Sequence, residues 1–275
     1  VVEKFSKIID QYKAEKVFAV STSVTREAKN GKEFIAQVYK QTGIQVKILT
    51  GFEEAKLILK GVFSAVDKIK QKIDPNYKDA HYNLGIAYGR LDLYREAVDA
   101  LKQAIRLDPE YKDAHYNLGV TYGRLDLHSE AVDAFKQAIR IDPQHADAYY
   151  LLGISYSKQD LYREAAEAYQ QAIRIKPDNA NAHYNLAVSY GRLSQYQEAI
   201  DAFNQVIRSE PENVSAYYNL GHIHRKLGLP QKAIEDYQQV IRITPDAGGV
   251  HFILGNIYLD LGLRRKALDA FNQAV

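Results

Sequence analysis

The feature that most constrains this chain is an internal period of 34 residues. The stretch HYNLGIAYGRLDLYREAVDALKQAIRLDPEYKDA, which begins at His81, returns as HYNLGVTYGRLDLHSEAVDAFKQAIRIDPQHADA, which begins at His115. Later copies begin at Tyr149, His183, Tyr217 and His251. A fixed period of this length is typical of stacked repeat arrays, in which each unit packs on its neighbours. The sequence therefore predicts a repeat solenoid.

Every repeat carries the same anchor positions, here counted from Lys78 as position 1. In the first full repeat the anchors are His81, Leu84, Gly85, Tyr88, Ala97, Leu101, Ala104 and Pro109. Positions 4, 7, 8 and 11 have the spacing of one helix face, and a proline ends each repeat because it cannot continue a helix. Asp or Gly at position 15 predicts a left-handed turn between the two helices of a pair.

These anchors resemble the tetratricopeptide repeat (TPR) template W-x2-L-G-x2-Y…A-x3-F…P, with His or Tyr at the Trp position. The resemblance implies a mainly α fold, a right-handed superhelical solenoid of antiparallel helix pairs whose first helices line a concave surface. We predict five full repeats, a truncated sixth, and a junction half-repeat at 63–77. The repeats are 78–111, 112–145, 146–179, 180–213, 214–247 and 248–275.

Composition excludes several classes of function. The chain has no cysteine, so disulfides and thiolate metal sites are ruled out. The histidines at position 4 are interpreted as packing residues, and we predict no metal and no cofactor. Residues 63–275 hold 25 basic and 27 acidic residues, which argues against a nucleic-acid partner. No apolar run is long enough for a membrane helix, so we expect no membrane partner and a cytoplasmic protein.

Residues 1–62 show no repeat. Short β-branched runs at Val17–Thr22 and Gln45–Thr50 predict two buried strands, separated and flanked by segments with helical spacing. This order predicts a small partial α/β segment ahead of the solenoid. Because two strands alone make a weak sheet with open edges, we expect a homodimer through these strands or a remodelled region.

Within this segment, STSVTREAKNG and GFEEAK resemble the exopolyphosphatase and guanosine-pentaphosphate phosphatase family (Ppx/GppA). The resemblance implies that Glu54 matches the carboxylate that activates the attacking water and that Arg26 matches a phosphate-contacting arginine. Neither of the family's glycine-rich phosphate loops occurs in the chain, and Lys56 replaces an arginine. Phosphoryl transfer needs such donors around the phosphates. We therefore predict a chain that is not an enzyme, with a phosphatase or its regulatory subunit as the alternative.

The leading hypothesis is an interaction scaffold that binds an extended peptide or partner segment in the concave groove. Positions 2 and 13 would form an acidic and a basic row, with Tyr and Asn at positions 5 and 6 between them. The candidate peptide-binding residues are Asp79, Tyr82, Asn83, Arg90, Asp113, Tyr116, Asn117, Arg124, Tyr150, Lys158, Tyr184, Asn185, Arg192 and Asn219.

Each of these features also has a structural explanation. Acids in the first turn and bases in the last turn of a helix favour its dipole. The asparagines could bond to neighbouring repeats instead of a peptide, and the tyrosines could pack between helices. A further alternative is a self-assembling oligomer, in which the apolar face of the sixth repeat stacks on another molecule.

Overall fold

The computed structural model describes residues 19–20, 46–47 and 78–274. The chain divides into two compact units, Val1–Ile73 and Asp74–Val275. Glu54, Arg26, the helices predicted within residues 1–62 and the junction at 63–77 lie outside the described residues.

The first unit contains two short strands, β1 (Ala19–Val20) and β2 (Val46–Lys47). They pair in parallel, with Ala19 opposite Val46 and Val20 opposite Lys47. Each strand falls inside one of the apolar runs that the sequence marks as a strand. The two predicted strands therefore meet each other, and pairing with a second copy of the chain stays a prediction.

The second unit is a succession of antiparallel helix pairs, one pair in each period of the sequence. Within residues 78–274 these are α1 (Lys78–Arg90) and α2 (Tyr94–Leu107), α3 (Lys112–Arg124) and α4 (His128–Ile141), α5 (Ala146–Ser157) and α6 (Tyr162–Ile175), α7 (Ala180–Arg192) and α8 (Tyr196–Ser209), α9 (Val214–Lys226) and α10 (Pro230–Ile243), and α11 (Gly248–Asp260) and α12 (Arg264–Gln273). Each helix packs on its partner in the pair and on the next helix along the chain.

The two helices of a pair approach most closely where position 8 faces position 24. A Cβ atom built on Gly119 would lie 2.7 Å from the ring of Phe135, which is 2% exposed. A Cβ on Gly153 would lie 2.5 Å from the ring of Tyr169. Such distances are below van der Waals contact, so glycine allows a large side chain to fill the centre of these two pairs. In the fourth repeat Ala187 takes the place of the glycine, opposite the buried Phe203.

The turn between the two helices has a left-handed residue at position 15 in every repeat. The φ angles are 58° for Asp92, 57° for Asp126, 59° for Asp160, 60° for Ser194, 69° for Gly228 and 74° for Gly262. The turn predicted from Asp and Gly is therefore present, and it also occurs at Ser194, where the sequence signal is weaker. This single residue reverses the chain direction at the cost of a strained backbone in four repeats.

Successive repeats are joined by polar contacts as well as apolar packing. The histidine ring at position 4 contacts the carbonyl oxygen of the proline that ends the preceding repeat. Its Nε2 lies 2.9 Å from that oxygen in the pairs His115–Pro109 and His183–Pro177, and 3.1 Å in the pair His251–Pro245. This bond explains how His replaces the Trp of the template while still anchoring the packing.

Packing between repeats is less extensive after the fourth repeat. Position 27, on the second helix, is buried alanine in the first three repeats and buried valine at Val206 and Val240. In the earlier part of the array the first helices of neighbouring repeats also contact each other directly, as α1 does α3. The distance between packed helices depends on the side chains at the contact, and the larger valine stands at the last two junctions, where the packing is less extensive.

We predict opposite effects of the same substitution at two positions of α3. Gly119→Ala should lower the free energy of unfolding by about 1–3 kcal/mol, because the methyl group meets the buried Phe135 ring. Gly123→Ala should raise it by roughly 0.5 kcal/mol, because its Cβ meets nothing within 4 Å and alanine favours helix. Urea denaturation monitored by circular dichroism measures both. Equal stability of the two variants would show that Phe135 does not pack on Gly119.

A second prediction concerns the turn at Ser194. Ser194→Gly should stabilise the array by about 1 kcal/mol, because glycine reaches a φ of 60° without the penalty of a Cβ atom. The reverse change at the same position of the next repeat, Gly228→Ser, should destabilise it by a similar amount. Denaturation midpoints that move in the same direction for both variants would contradict this explanation.

Candidate binding groove

The predicted groove is formed by the first helices, and we use the word groove for positions 2, 5, 6, 9, 12 and 13 of α1, α3, α5, α7, α9 and α11. Acidic side chains stand in the first turn of the first three of these helices, at Asp79, Asp113 and Asp147. Basic side chains stand at or just after the C-terminal ends of the first five of these helices. These are Arg90, Arg124, Lys158, Arg192 and Lys226, which are all exposed. The helices α1, α3 and α5 thus carry opposite charges at or just beyond their two ends, whereas α7 and α9 have only the basic end.

The aromatic side chains at position 5 each contact another aromatic ring, although Tyr218 and Phe252 are largely exposed. The ring of Tyr116 lies 6.0 Å from that of Phe135, and the ring of Tyr184 lies 5.6 Å from that of Phe203. The same pairing joins Tyr150 to Tyr169, Tyr218 to Tyr237 and Phe252 to Phe271. Ring pairs at these separations contribute to stability beyond their buried area. The position-5 tyrosines are therefore part of the packing between helices.

The hydroxyl groups of these tyrosines are bound by the asparagine of the following repeat. Asn117 Nδ2 donates to the Tyr82 hydroxyl at 3.1 Å and also to the carbonyl oxygen of Asp113 at 2.8 Å. The amides of Asn185 and Asn219 donate at 3.2 Å to the tyrosine hydroxyls of their preceding repeats, those of Tyr150 and Tyr184. The sequence left two roles open for these asparagines, a bond to a neighbouring repeat or a bond to a peptide. Their Nδ2 atoms make the bond to the neighbouring repeat.

The asparagine oxygens remain available. Within residues 78–274, the Oδ1 atoms of Asn117, Asn185 and Asn219 have no hydrogen-bond donor from the protein. Each tyrosine hydroxyl accepts from an amide and keeps its own proton to donate. Every such junction therefore presents one acceptor and one donor side by side.

Burial and nearby carboxylates raise the pKa of Tyr82 and Tyr116, and burial raises that of Tyr150, all further above neutral pH. Burial raises the pKa of Tyr82 above its usual value, and the negative charge of Asp113 raises it further. Burial and then Asp147 have the same effects on the pKa of Tyr116. Burial likewise raises the pKa of Tyr150. These phenols are thus hydrogen-bond donors at neutral pH, beside the acidic row in the first two junctions.

Two aromatic contacts in the groove escaped the sequence interpretation. Tyr111, at position 34, lies with its ring 5.0 Å from that of Tyr82, and His145 stacks on Tyr116 at 4.7 Å. Burial and a hydrogen bond to Asp79 raise the pKa of Tyr111. Position 34 is Tyr, His, Asn or Ala in different repeats. Because its identity does not recur, the repeat pattern did not mark it as a position that contacts the groove.

The remaining candidates are placed as follows. Asn83 is exposed in the first repeat. Arg192 lies with its guanidinium 5.9 Å from the centre of the Tyr162 ring, a cation–π distance. Repeats three and six have Leu151 and Ile253 at position 6, so the amide contact is absent from them. The Asn–Tyr contact is thus found at three junctions, with one apolar interruption.

Other kinds of site find little support in the part of the chain that the structure describes. There, no three His, Asp or Glu side chains converge as a metal site would require. No helix of that part combines the length and apolar content needed to cross a bilayer. In the sixth repeat Phe252 is 56% exposed and Leu268 is 61% exposed, and the stacking of this face on another molecule stays a prediction.

Comparison with known proteins agrees with this architecture. Models of the tetratricopeptide repeat match residues 82–146 and 184–248, 134–167, 162–194 and 249–275. The chain belongs to the tetratricopeptide repeat family. The crystal structure of MamA, at 28% sequence identity, superimposes with a TM-score of 0.56 over 57% of this chain and 92% of that chain. The TPR solenoid predicted from the sequence is therefore confirmed.

Two further TPR structures share the fold. MamA from Desulfovibrio magneticus RS-1 is 22% identical, with a TM-score of 0.58 over 62% of this chain and 96% of that chain. YrrB, described as a TPR protein with an unusual peptide-binding site, is 22% identical, with a TM-score of 0.60 over 68% of this chain and 93% of that chain. At these identities the likeness concerns the fold alone.

The segment before the TPR array has a relative of its own. A model of the Ppx/GppA phosphatase family matches residues 1–74, which confirms the resemblance drawn from the sequence. The bifunctional 3-dehydroquinate synthase/phosphatase of Fusobacterium nucleatum subsp. nucleatum is 36% identical over 69 residues, which are 24% of this chain. The chain covers only 10% of that protein's length.

We predict that the Asn–Tyr bond between repeats contributes measurably to stability. A double-mutant cycle of Tyr82→Phe and Asn117→Leu should give a coupling energy of about 0.5–1.5 kcal/mol, the usual net value of such a bond. Leucine is chosen because Leu151 occupies this position in the third repeat.

The array offers a matched control for this cycle. Tyr116 faces the Leu151 repeat, where no amide bonds to its hydroxyl, so Tyr116→Phe should cost less than Tyr82→Phe in the same denaturation experiment. Equal losses from the two substitutions would mean that the hydroxyl of Tyr82 gains nothing from Asn117.

Proposed function

We propose that this TPR protein is an interaction scaffold that binds an extended segment of a partner protein along its groove. The observation that carries the proposal is the row of Asn–Tyr contacts at Asn117, Asn185 and Asn219, which leaves an amide oxygen and a phenolic proton unused at each junction. The TPR fold and its likeness to MamA and YrrB support the general role of a protein-binding scaffold.

The chemistry of the row suits a peptide backbone. An extended chain offers alternating N–H and C=O groups, and it needs both acceptors and donors from the surface that binds it. The free Oδ1 of Asn117 accepts from an N–H, and the proton of the Tyr82 hydroxyl is donated to a C=O. Because the Nδ2 bonds hold the amides in one orientation, these groups are ordered before the partner arrives, which lowers the entropic cost of binding.

The YrrB structure provides a parallel. That protein is described as having an unusual peptide-binding site, and it shares the array architecture over 68% of this chain. By analogy, an extended peptide is the class of ligand that we assign to the present groove. The identity of the peptide must come from this chain's own side chains, since fold alone does not set specificity.

The proposal is tested by selecting peptides from a random displayed library on the purified chain and then measuring their affinity by fluorescence anisotropy. Asn117→Leu and Asn185→Leu should each weaken binding roughly three- to ten-fold, because each removes one hydrogen bond to the peptide. Asn204→Leu, the same change on the exposed face of α8, is the matched control and should leave affinity unchanged. Equal affinities for all three variants would contradict groove binding.

A second candidate function rests on the match of residues 1–74 to the Ppx/GppA phosphatase family. On this alternative, the first unit releases phosphate from polyphosphate or guanosine pentaphosphate, with Glu54 activating water and Arg26 contacting the phosphate. Phosphate release by the purified chain, abolished in Glu54→Gln, would establish it. We favour the scaffold because TPR models match most of residues 82–275, where the row of Asn–Tyr contacts lies.

A further inference from the structure

The charge of the groove changes between its third and fourth repeats. In the first three repeats an acid at position 2 accompanies each base at position 13, as Asp113 accompanies Arg124. In the next two repeats the acids are replaced by Asn181 and Ser215. The bases persist as Arg192 and Lys226. Repeats four and five therefore carry positive charge without its acidic counterpart.

The fifth repeat adds a further base. Position 12 is glycine in repeats one, two and four, and it is Arg225 in the fifth. Arg225 and its neighbour Lys226 are both exposed. Besides burial, these two charges lower the pKa of His222 on the preceding turn of α9. The surface around His222 is therefore electropositive even before its own protonation.

These bases are not neutralised by the array itself. In the part of the chain that the structure describes, Arg192, Arg225 and Lys226 form no ion pair with a carboxylate. The half-buried Asp236 is on the adjacent helix α10, but its Oδ2 is held 2.6 Å from Nδ1 of His224. Arg192 also lies over the ring of Tyr162, and the charge of Arg225 acts on the pKa of the Tyr237 hydroxyl on α10. With no carboxylate bound to them, the exposed bases Arg192, Arg225 and Lys226, here called the basic cluster, are available to an external anion.

Ahead of this cluster, position 9 of the groove carries apolar side chains with open space beside them. Position 9 is Ile86, Val120, Ile154 and Val188 in the first four repeats. A Cβ atom built on Gly89, Gly123 or Gly191 beside them would meet nothing within 4 Å. Space is therefore left over apolar side chains, until His222 and Arg225 occupy the same two positions of the fifth repeat.

We propose that the partner segment carries an acidic stretch, whose carboxylates bind the basic cluster of Arg192, Arg225 and Lys226, next to an apolar stretch that lies over the first three repeats. This inference rests on the proposed function and names the chemistry of its ligand. A long polyanion such as a nucleic acid fits less well, because Asp79, Asp113 and Asp147 would repel its phosphates along the rest of the groove.

The peptides selected on the full chain test the inference. They should be enriched in Asp and Glu, and their affinity should fall as salt is raised, because salt screens exposed charges. The double variant Arg192→Glu with Lys226→Glu should bind them roughly ten-fold more weakly, since each exposed charge contact contributes about a factor of three. A selection repeated on this variant should no longer favour acidic peptides.

The matched control is Arg208→Glu with Arg242→Glu. These exposed arginines belong to the same two repeats and give the same change in net charge, but they lie on the second helices α8 and α10. Circular dichroism should show both double variants folded. An equal loss of affinity in the control would mean that overall charge, not the cluster, attracts the peptide, and it would overturn the inference.

The other outcomes separate the inference from the proposed function. Enrichment of neutral or basic peptides would overturn the acidic partner while leaving peptide binding intact. Failure to enrich any peptide over a blank surface would overturn both. Tight binding of a single-stranded oligonucleotide that is lost in Arg192→Glu with Lys226→Glu would assign the cluster to nucleic acid instead.

Discussion

The array depends on the close contact between position 8 of the first helix and position 24 of the second. Glycine at position 8 allows Phe135, Tyr169 or Tyr237 to lie across the helix backbone, where each is almost fully buried. The same ring supports the position-5 aromatic side chain on its other side. One small residue thus fixes the distance within the pair and also the placement of the groove tyrosine. Packing and binding surface are linked through a single side chain.

This linkage explains why the fold was predictable from the sequence and the site only in part. The anchors recur because every pair must solve the same packing problem, so Leu84, Gly85 and Tyr88 are visible as a period. The groove side chains also recur, but periodicity alone does not tell whether such a side chain bonds within the array or to a ligand. Asn117 illustrates this, because its Nδ2 donates to the neighbouring repeat while its Oδ1 has no donor among the described residues.

Other features were beyond the reach of a repeat pattern. The ring contact of Tyr111 with Tyr82 depends on a position whose identity changes from repeat to repeat. The packing between repeats is less extensive after the fourth repeat, where Val206 and Val240 stand in place of alanine, and the effect of these larger side chains depends on the facing helix. Such consequences are set by tertiary distances, which sequence spacing does not contain.

The fifth repeat shows that departures from the template occur together. Position 11 is tyrosine in the other repeats and His224 here, and position 23 is alanine in the others and Asp236 here. The two replacements contact each other, with Nδ1 of His224 2.6 Å from Oδ2 of Asp236. Burial raises the pKa of Asp236, and the bond to His224 works against that rise. Either residue alone would leave a polar group unsatisfied in the core, which costs about 1–3 kcal/mol, so only the pair is tolerated. Helix α9, which carries His224, also carries His222 and Arg225. The change in the core and the change in groove charge therefore occur in the same repeat.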